Sequence, residues 1–285
     1  MTVWRGAGRP RSGMSTARRA VYYAANALAA LQSKPHAKSE RQPASALFAA
    51  ARRAPFTRLE ALIGRGPVII LAPHPDDETL GCGGLLSACA AARIPAFVFL
   101  MTDGSLSHPG QSKSSAAHSR LRKRETVNAL RALGHPPEIL RTCGLRDGRA
   151  LIDPDGLTRA ATQIARFAAH NNASALFTAW RHDPHPDHMA ASLLAAKVGR
   201  LTPRLRVLHY PIRGRFLPGD IQLPETWKPF RLDIARHVER KRRAMAAYRS
   251  QTTPLVGAPI VAFRFHANEV KAYTSPAELF FEEQT

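Results

Sequence analysis

The chain has 285 residues, 45% of them apolar and 22% charged, with 41 Lys and Arg against 21 Asp and Glu and a formal net charge of +20. That apolar share builds a core, which excludes a disordered or fibrous chain. Cys82, Cys89 and Cys143, three thiols with no C-x-x-C spacing, exclude a disulfide framework and a cysteine zinc site. They read as small buried residues of a reduced, cytoplasmic protein. No apolar run reaches the ~20 residues that span a bilayer, and no secretory signal is visible. The positive excess suits solubility or attraction to an anionic membrane or polymer. No basic helix interleaved with aromatics stands out, so a nucleic-acid partner is not expected; a basic nucleic-acid- or anionic-membrane-binding protein without catalysis is the alternative reading that the charge offers.

Residues 1–55 read as a basic, partly helical extension whose only acid is Glu40. Within it, Ala17–Leu31 is alanine-rich and places Val21, Tyr22, Ala25, Leu28 and Leu31 on a weak apolar face. Such a helix suits packing on the main domain, or peripheral contact with an anionic membrane.

Residues 56–285 form the main domain, in which apolar runs alternate with helical patterns. Val68–Leu71 is a first strand, and Glu78–Ala92 a helix with Gly81, Gly83 and Gly84 in its opening turns. Ala96–Met101 is a second strand, followed by a polar loop over Ser105–Ala117. Arg120–Leu133 is a helix stopped by Gly134, and Ile139–Thr142 a short strand. Asp155 is the expected N-cap of a helix with Leu157, Ala161 and Ile164 on one face. Ala175–Trp180 is a strand, Asp187–Lys197 a helix, Leu205–Tyr210 a strand and Val238–Tyr248 a basic helix. From Ile260 the tail reads as strand and loop. Strands alternating with helices imply an α/β fold, a Rossmann-like three-layer domain around a mostly parallel sheet.

Two segments carry chemistry. Pro73-His74-Pro75-Asp76-Asp77-Glu78 follows the first strand, and Asp183-Pro184-His185-Pro186-Asp187-His188 follows the strand ending at Trp180. Open α/β sheets bind ligands beyond the carboxyl ends of their strands. His74 and Asp77, three apart at a bend, can face one ion, and His188 can join them from the neighbouring strand end. Two histidines and a carboxylate, with one position left for water, suit catalytic zinc. The mixed N/O set also admits Fe2+, Mn2+ or Co2+. Asp76 is the natural general base, with Glu78 as a second candidate or a supporting group. His185, if charged, can stabilise an oxyanion or protonate a leaving amine, and Asp187 can orient an imidazole. A competing pattern is Asp183-x-His185-x-Asp187-His188. It is similar to the His-x-His-x-Asp-His signature of metallo-β-lactamase-type hydrolases, with Asp in place of the first histidine.

Pro73–Glu78 running into Leu80-Gly81-Cys82-Gly83-Gly84, together with Thr102-Asp103-Gly104, Arg122-Lys123-Arg124-Glu125, Leu133-Gly134 and His185-Pro186-Asp187-His188, resembles the PIG-L/LmbE-type family of N-acetylglucosamine deacetylases. The resemblance spans about Pro67 to Leu201. It implies zinc on His74, Asp77 and His188, Asp76 as general base, and His185 at the oxyanion with Asp187 tuning it. It implies sugar hydroxyls held by Arg122 or Arg124 together with Asp147. The implied reaction is hydrolysis of an N-acetyl amide on an amino sugar, and the charge leans towards a phosphorylated or lipid-linked saccharide. The tyrosine that some thiol-sugar members carry before the second motif is missing here, which points to Trp180 or Arg181 as alternative substrate contacts.

Overall fold

Val68–Ala72 (β1) is buried along its whole length, as a continuous Val/Ile/Leu run requires at the centre of a parallel sheet. In the computed structural model, which describes residues 42–107, 115–223, 226–252 and 267–284, six further strands join it. They are Ala96–Thr102 (β2), Leu140–Leu145 (β3), Ala175–Ala179 (β4), Arg206–Tyr210 (β5), Trp227–Asp233 (β6) and Ala277–Glu283 (β7). The seven lie in the order β3-β2-β1-β4-β5-β7-β6. The first five in that order run parallel, and β7 inserts antiparallel to both of its neighbours. The chain moves outward from β1 to β3, then returns to place β4 on the other side of β1. The carboxyl ends of β1 and β4 therefore flank the topological switch point, where sheets of this kind open a crevice.

The main helices are Ala44–Arg53 (α1), Asp77–Ala91 (α2), Ser115–Ala132 (α3), Pro154–His170 (α4), Pro186–Leu201 (α5) and Val238–Ala247 (α6). Side chains alternate along a strand, so β1 serves both faces. Val68, Ile70 and Ala72 pack with Leu80 and Leu85 of α2, Leu130 of α3 and Met245 of α6. Ile69 and Leu71 pack with Leu157 and Ile164 of α4 and Leu194 of α5. Each such Leu or Ile contributes roughly 1.5–3 kcal/mol on burial. The result is a three-layer α/β domain.

Four local readings change. The N-cap of α4 is Asp153, whose side chain accepts from the Gly156 N–H, with Pro154 at the first helical position; Asp155 sits in the first turn. β6 has no counterpart in the sequence reading. The tail contributes a helix, Ala267–Tyr273, before β7. Trp180 is fully buried and packs with Phe48 of α1, Trp227 and Phe281, so it is a core residue rather than a substrate contact. Through Ala44, Leu47, Phe48 and Ala51, α1 packs on this same cluster. The Ala17–Leu31 segment lies outside the described residues. Cys82, Cys89 and Cys143 are free thiols. Among the described residues no helix is long and apolar enough to cross a membrane.

Candidate active site

The first motif turns sharply out of β1. Asp76 adopts φ 125°, a region that side-chain-bearing residues rarely enter, and α2 begins at the next residue. The bend is fixed by local bonds: the His74 N–H donates to Asp77 Oδ2 at 3.0 Å, and the Asp76 carbonyl accepts from the N–H groups of Thr79 and Leu80. Gly81, one turn into α2, admits the ring of Tyr210; an added Cβ would collide with Tyr210 Cδ2. Tyr210 in turn donates its hydroxyl to the Leu71 carbonyl at 2.8 Å, tying β5 to the end of β1. The second motif opens α5. His185 is the N-cap, and its Nδ1 accepts from the Asp187 N–H at 3.2 Å.

These two bends bring the predicted ligands together. Asp77 Oδ2 lies 3.2 Å from His74 Nδ1 and 3.3 Å from His188 Nε2. On its other side, His74 Nε2 meets Asp187 Oδ2 at 3.0 Å and Asp147 Oδ1 at 3.4 Å. The ring of His185 lies 4.6 Å from that of His74 and 5.1 Å from that of His188, centre to centre. Potential ligand atoms thus gather in two overlapping sets, His74/His185/His188 and His74/Asp147/Asp187, with Asp77 spanning two of the three histidines.

The electrostatics follow from many carboxylates in a small buried space. Burial disfavours charge on His188, but Asp77 and Asp183 outweigh it and lift its pKa to about 9. His74 is raised well above its ordinary value against the same burial, by Asp147, Asp187 and Asp77. Asp77 is held far below the usual carboxylate range, because the two imidazoles overcome its burial. His185 goes the other way: burial, with the charged His74 and His188 beside it, lowers it to about 3. It is therefore neutral, not charged as the sequence reading allowed, and since its Nδ1 accepts, its proton sits on Nε2. Burial lifts Asp76 to about 6, and Arg122 restrains the rise.

Residue chemistry here fits a divalent cation. The raised histidines show that the donor set attracts positive charge, which protons supply in the absence of metal. A supporting shell is also in place. Asp183 Oδ2 lies 2.9 Å from His188 Nδ1, which directs Nε2 towards Asp77. Asp183 itself accepts from the N–H groups of Ile212 and Gly214 beyond β5. Its carboxylate therefore backs His188, and the likeness to a metallo-β-lactamase signature does not extend to its position in space.

The remaining predicted residues divide. Asp187 reaches His74 with its carboxylate, and it accepts from the N–H groups of Gly148 (2.8 Å) and Ala150 (3.2 Å); it touches His185 only through its own backbone. Asp147 also faces His74, and its second oxygen accepts from the Leu106 N–H at 2.7 Å. Arg122 is 1% exposed and donates to Asp76 Oδ2 at 2.9 Å and to the Pro75 carbonyl, so it lies beneath the site and not at its mouth. Arg124 is exposed on the outer side of α3 and is not brought to the cluster. Arg181 pairs with Glu283 at 2.6 Å.

Asp183 was missed as a supporting residue, although its place at the end of β4 was the available signal. Tyr248 and Ser250 close the cluster from behind, where Tyr248 donates to Glu78 and Ser250 accepts from Arg122.

Comparison with known proteins agrees with this fold. Residues 69–198 match the family model PIG-L, described as GlcNAc-PI de-N-acetylase. The chain is 25% identical over 196 residues to the probable N-acetyl-alpha-D-glucosaminyl L-malate deacetylase 2 of Bacillus cereus, covering 66% of this chain and 85% of that one. A conserved protein of Thermus thermophilus superposes with TM-score 0.55 at 25% identity, over 76% of this chain and 94% of its own. The N,N'-diacetylchitobiose deacetylase of Pyrococcus horikoshii shares the fold, with TM-score 0.55 at 17% identity over 77% and 82% of the two chains. The segment that matches the PIG-L family model contains both motif turns, the switch point between them and every residue of the cluster that faces His74.

Proposed function

We propose that this protein is a metal-dependent N-deacetylase that hydrolyses the acetamide of an N-acetylglucosamine-type sugar in a glycoconjugate, releasing acetate and a free amine. One observation carries the reading: His74, Asp77 and His188 converge beside Asp76 at the switch point of the sheet. The match to the PIG-L family model and the likeness to a deacetylase relative support amino-sugar N-deacetylation as the reaction class.

His74, Asp77 and His188 would hold the cation, zinc being the first choice and Fe2+, Mn2+ or Co2+ also suited to the donors. When bound, such an ion lowers the pKa of a water molecule and polarises a carbonyl oxygen. The chain supplies the rest. Asp76, ionised at neutral pH yet more basic than a free carboxylate, takes the proton of the attacking water and returns it to the departing nitrogen. Arg122 keeps that carboxylate in place. His185, neutral with its proton on Nε2, donates a hydrogen bond to the oxygen on which negative charge develops. Asp187 orients His74. Asp147 stands closest to the loops after β2 and β3, where it can take a sugar hydroxyl; Arg122 is too buried for that task.

The test is amine release from N-acetylglucosamine and N,N'-diacetylchitobiose by the full chain reloaded with zinc, beside Asp76→Ala. Release by the parent and a loss of at least about 100-fold in the variant is the expected result. Equal release by both removes Asp76 from its role.

A further inference from the structure

We infer that Glu78 is a positioning residue that holds the Asp76 backbone in its unfavourable bend, and that Tyr248 locks Glu78 for this task. The inference rests on the reading of Asp76 as the base. Asp76 stands at φ 125°, which costs of order 1–3 kcal/mol and persists only where surroundings over-determine it. The determinant is visible. The Asp76 N–H donates to Glu78 Oε2 at 3.0 Å inside the protein, a bond that spans the bend. The other oxygen, Oε1, accepts from Thr79 Oγ1 at 2.5 Å and from the Tyr248 hydroxyl. Glu78 and Tyr248 are both 0% exposed, so neither meets substrate and neither is a catalytic residue.

Without the Glu78 acceptor, a buried N–H is left unpaired and the bend loses its restraint. The Asp76 carboxylate then swings from its place beside Arg122. Tyr248 follows α6, far along the chain, so the arrangement couples the C-terminal part of the fold to the first motif. It also settles what Glu78 does not do. With both oxygens engaged and no exposure, it has no route to a water molecule in the site.

The experiment compares Glu78→Ala, Glu78→Gln and Tyr248→Phe in the full chain, each matched for folded fraction and metal content. The Gln oxygen can still accept from the Asp76 N–H while its amide donates to the Tyr248 oxygen. Glu78→Ala is expected to lower kcat at least about tenfold with KM within about threefold, and Glu78→Gln to restore most of that loss, as misplacement of a reacting group predicts. Tyr248→Phe falls between.

A second readout needs no activity. Pro75 precedes Asp76, so labelling Pro carbonyl carbons and Asp amide nitrogens isolates the Asp76 amide among few Pro–Asp pairs. Its hydrogen exchange is slow in the parent and in Glu78→Gln, and at least about tenfold faster in Glu78→Ala. Unchanged exchange and unchanged kcat per folded molecule in Glu78→Ala overturn the inference. So does a fall in kcat that disappears once metal content is matched, which would route the effect through Asp77. If the parent releases no amine from any amino sugar, the deacetylase reading fails, and the exchange measurement still decides whether Glu78 holds Asp76.

Discussion

At the scale of single residues, the cluster is governed by which groups carry protons. Arg122 is the charge that most restrains Asp76 against its burial. Replacing it with methionine removes that restraint, so the Asp76 pKa moves up from about 6 and the base is protonated over more of the neutral range. The acid limb of kcat/KM should therefore shift to higher pH in Arg122→Met. A bound cation draws Asp76 lower in parent and variant alike, so the comparison tests direction. A limb that stays put, or moves down, removes Arg122 from the account.

Asp183 makes a second case. Its link to the proposed metal ligands is the 2.9 Å bond to His188 Nδ1. Asp183→Asn should weaken zinc binding about 10–100-fold in a chelator competition while leaving stoichiometry intact, as loss of such a partner does elsewhere. Of this site, His74, Asp77 and His188 could be read from the chain because each sits in a short motif at a strand end. Asp187 reads from the sequence as a partner of an imidazole, and the α5 turn aims it at His74; which ring it meets is set by the fold and not by the motif. The neutrality of His185 was hidden for a related reason. It depends on burial and on the charges of His74 and His188 across the crevice, and both exist only after folding.

At the scale of elements, β1, β2 and β4 were visible as apolar runs because both faces of such a strand are buried, whereas β3, at the edge of the sheet, buries only Leu145 and carries a weaker signal. β6 was not, and its residues explain why. Only Trp227, Phe230 and Leu232 of its seven positions are buried, and Pro229 interrupts the run. Proline is tolerated there because β6 is the last strand of the sheet.

The same C-terminal region contributes a buried ion pair that was likewise out of reach of local pattern. Lys241 of α6, 0% exposed, donates to Glu278 Oε1 at 2.6 Å and to the Leu80 carbonyl at 2.8 Å. Glu278, on β7, also accepts from the N–H groups of Gly84 and Leu85 in α2. One pair thus pins α2, which opens with Asp77, to the last long helix and the last long strand. Lys241→Met leaves Glu278 buried with an unbalanced charge, and should cost about 3–5 kcal/mol in denaturant unfolding. Arg242→Ala, which breaks only an exposed contact with Glu239 at 3.5 Å, should cost less than about 1 kcal/mol. Equal effects from the two would mean that the Lys241–Glu278 pair is idle.

At the scale of the whole molecule, the proposed function sets metal and protons in competition for one set of side chains. His188, with a pKa near 9 in the metal-free protein, is protonated at pH 7, and His74 is raised in the same direction. A histidine must shed its proton to bind a cation, so each such ring makes apparent affinity rise about tenfold per pH unit until the pH passes its pKa. The sign is fixed by the direction of the shifts: raised folded-state values place the competition above about pH 6.5, where free histidines no longer compete. Zinc affinity measured by chelator competition between about pH 6 and 8 should therefore climb with a slope of about one to two protons per ion. Calorimetry at pH 7 in buffers of different ionisation heat should show the same number released. The gain in thermal stability at fixed zinc should grow with pH in step, because a ligand bound only by the folded state stabilises it by RT ln(1 + [L]/Kd). His74→Ala/His188→Ala should flatten all three. A flat dependence in the parent would mean that zinc, if it binds, binds elsewhere. The convergence of two strand-end motifs at the switch point would then need another purpose.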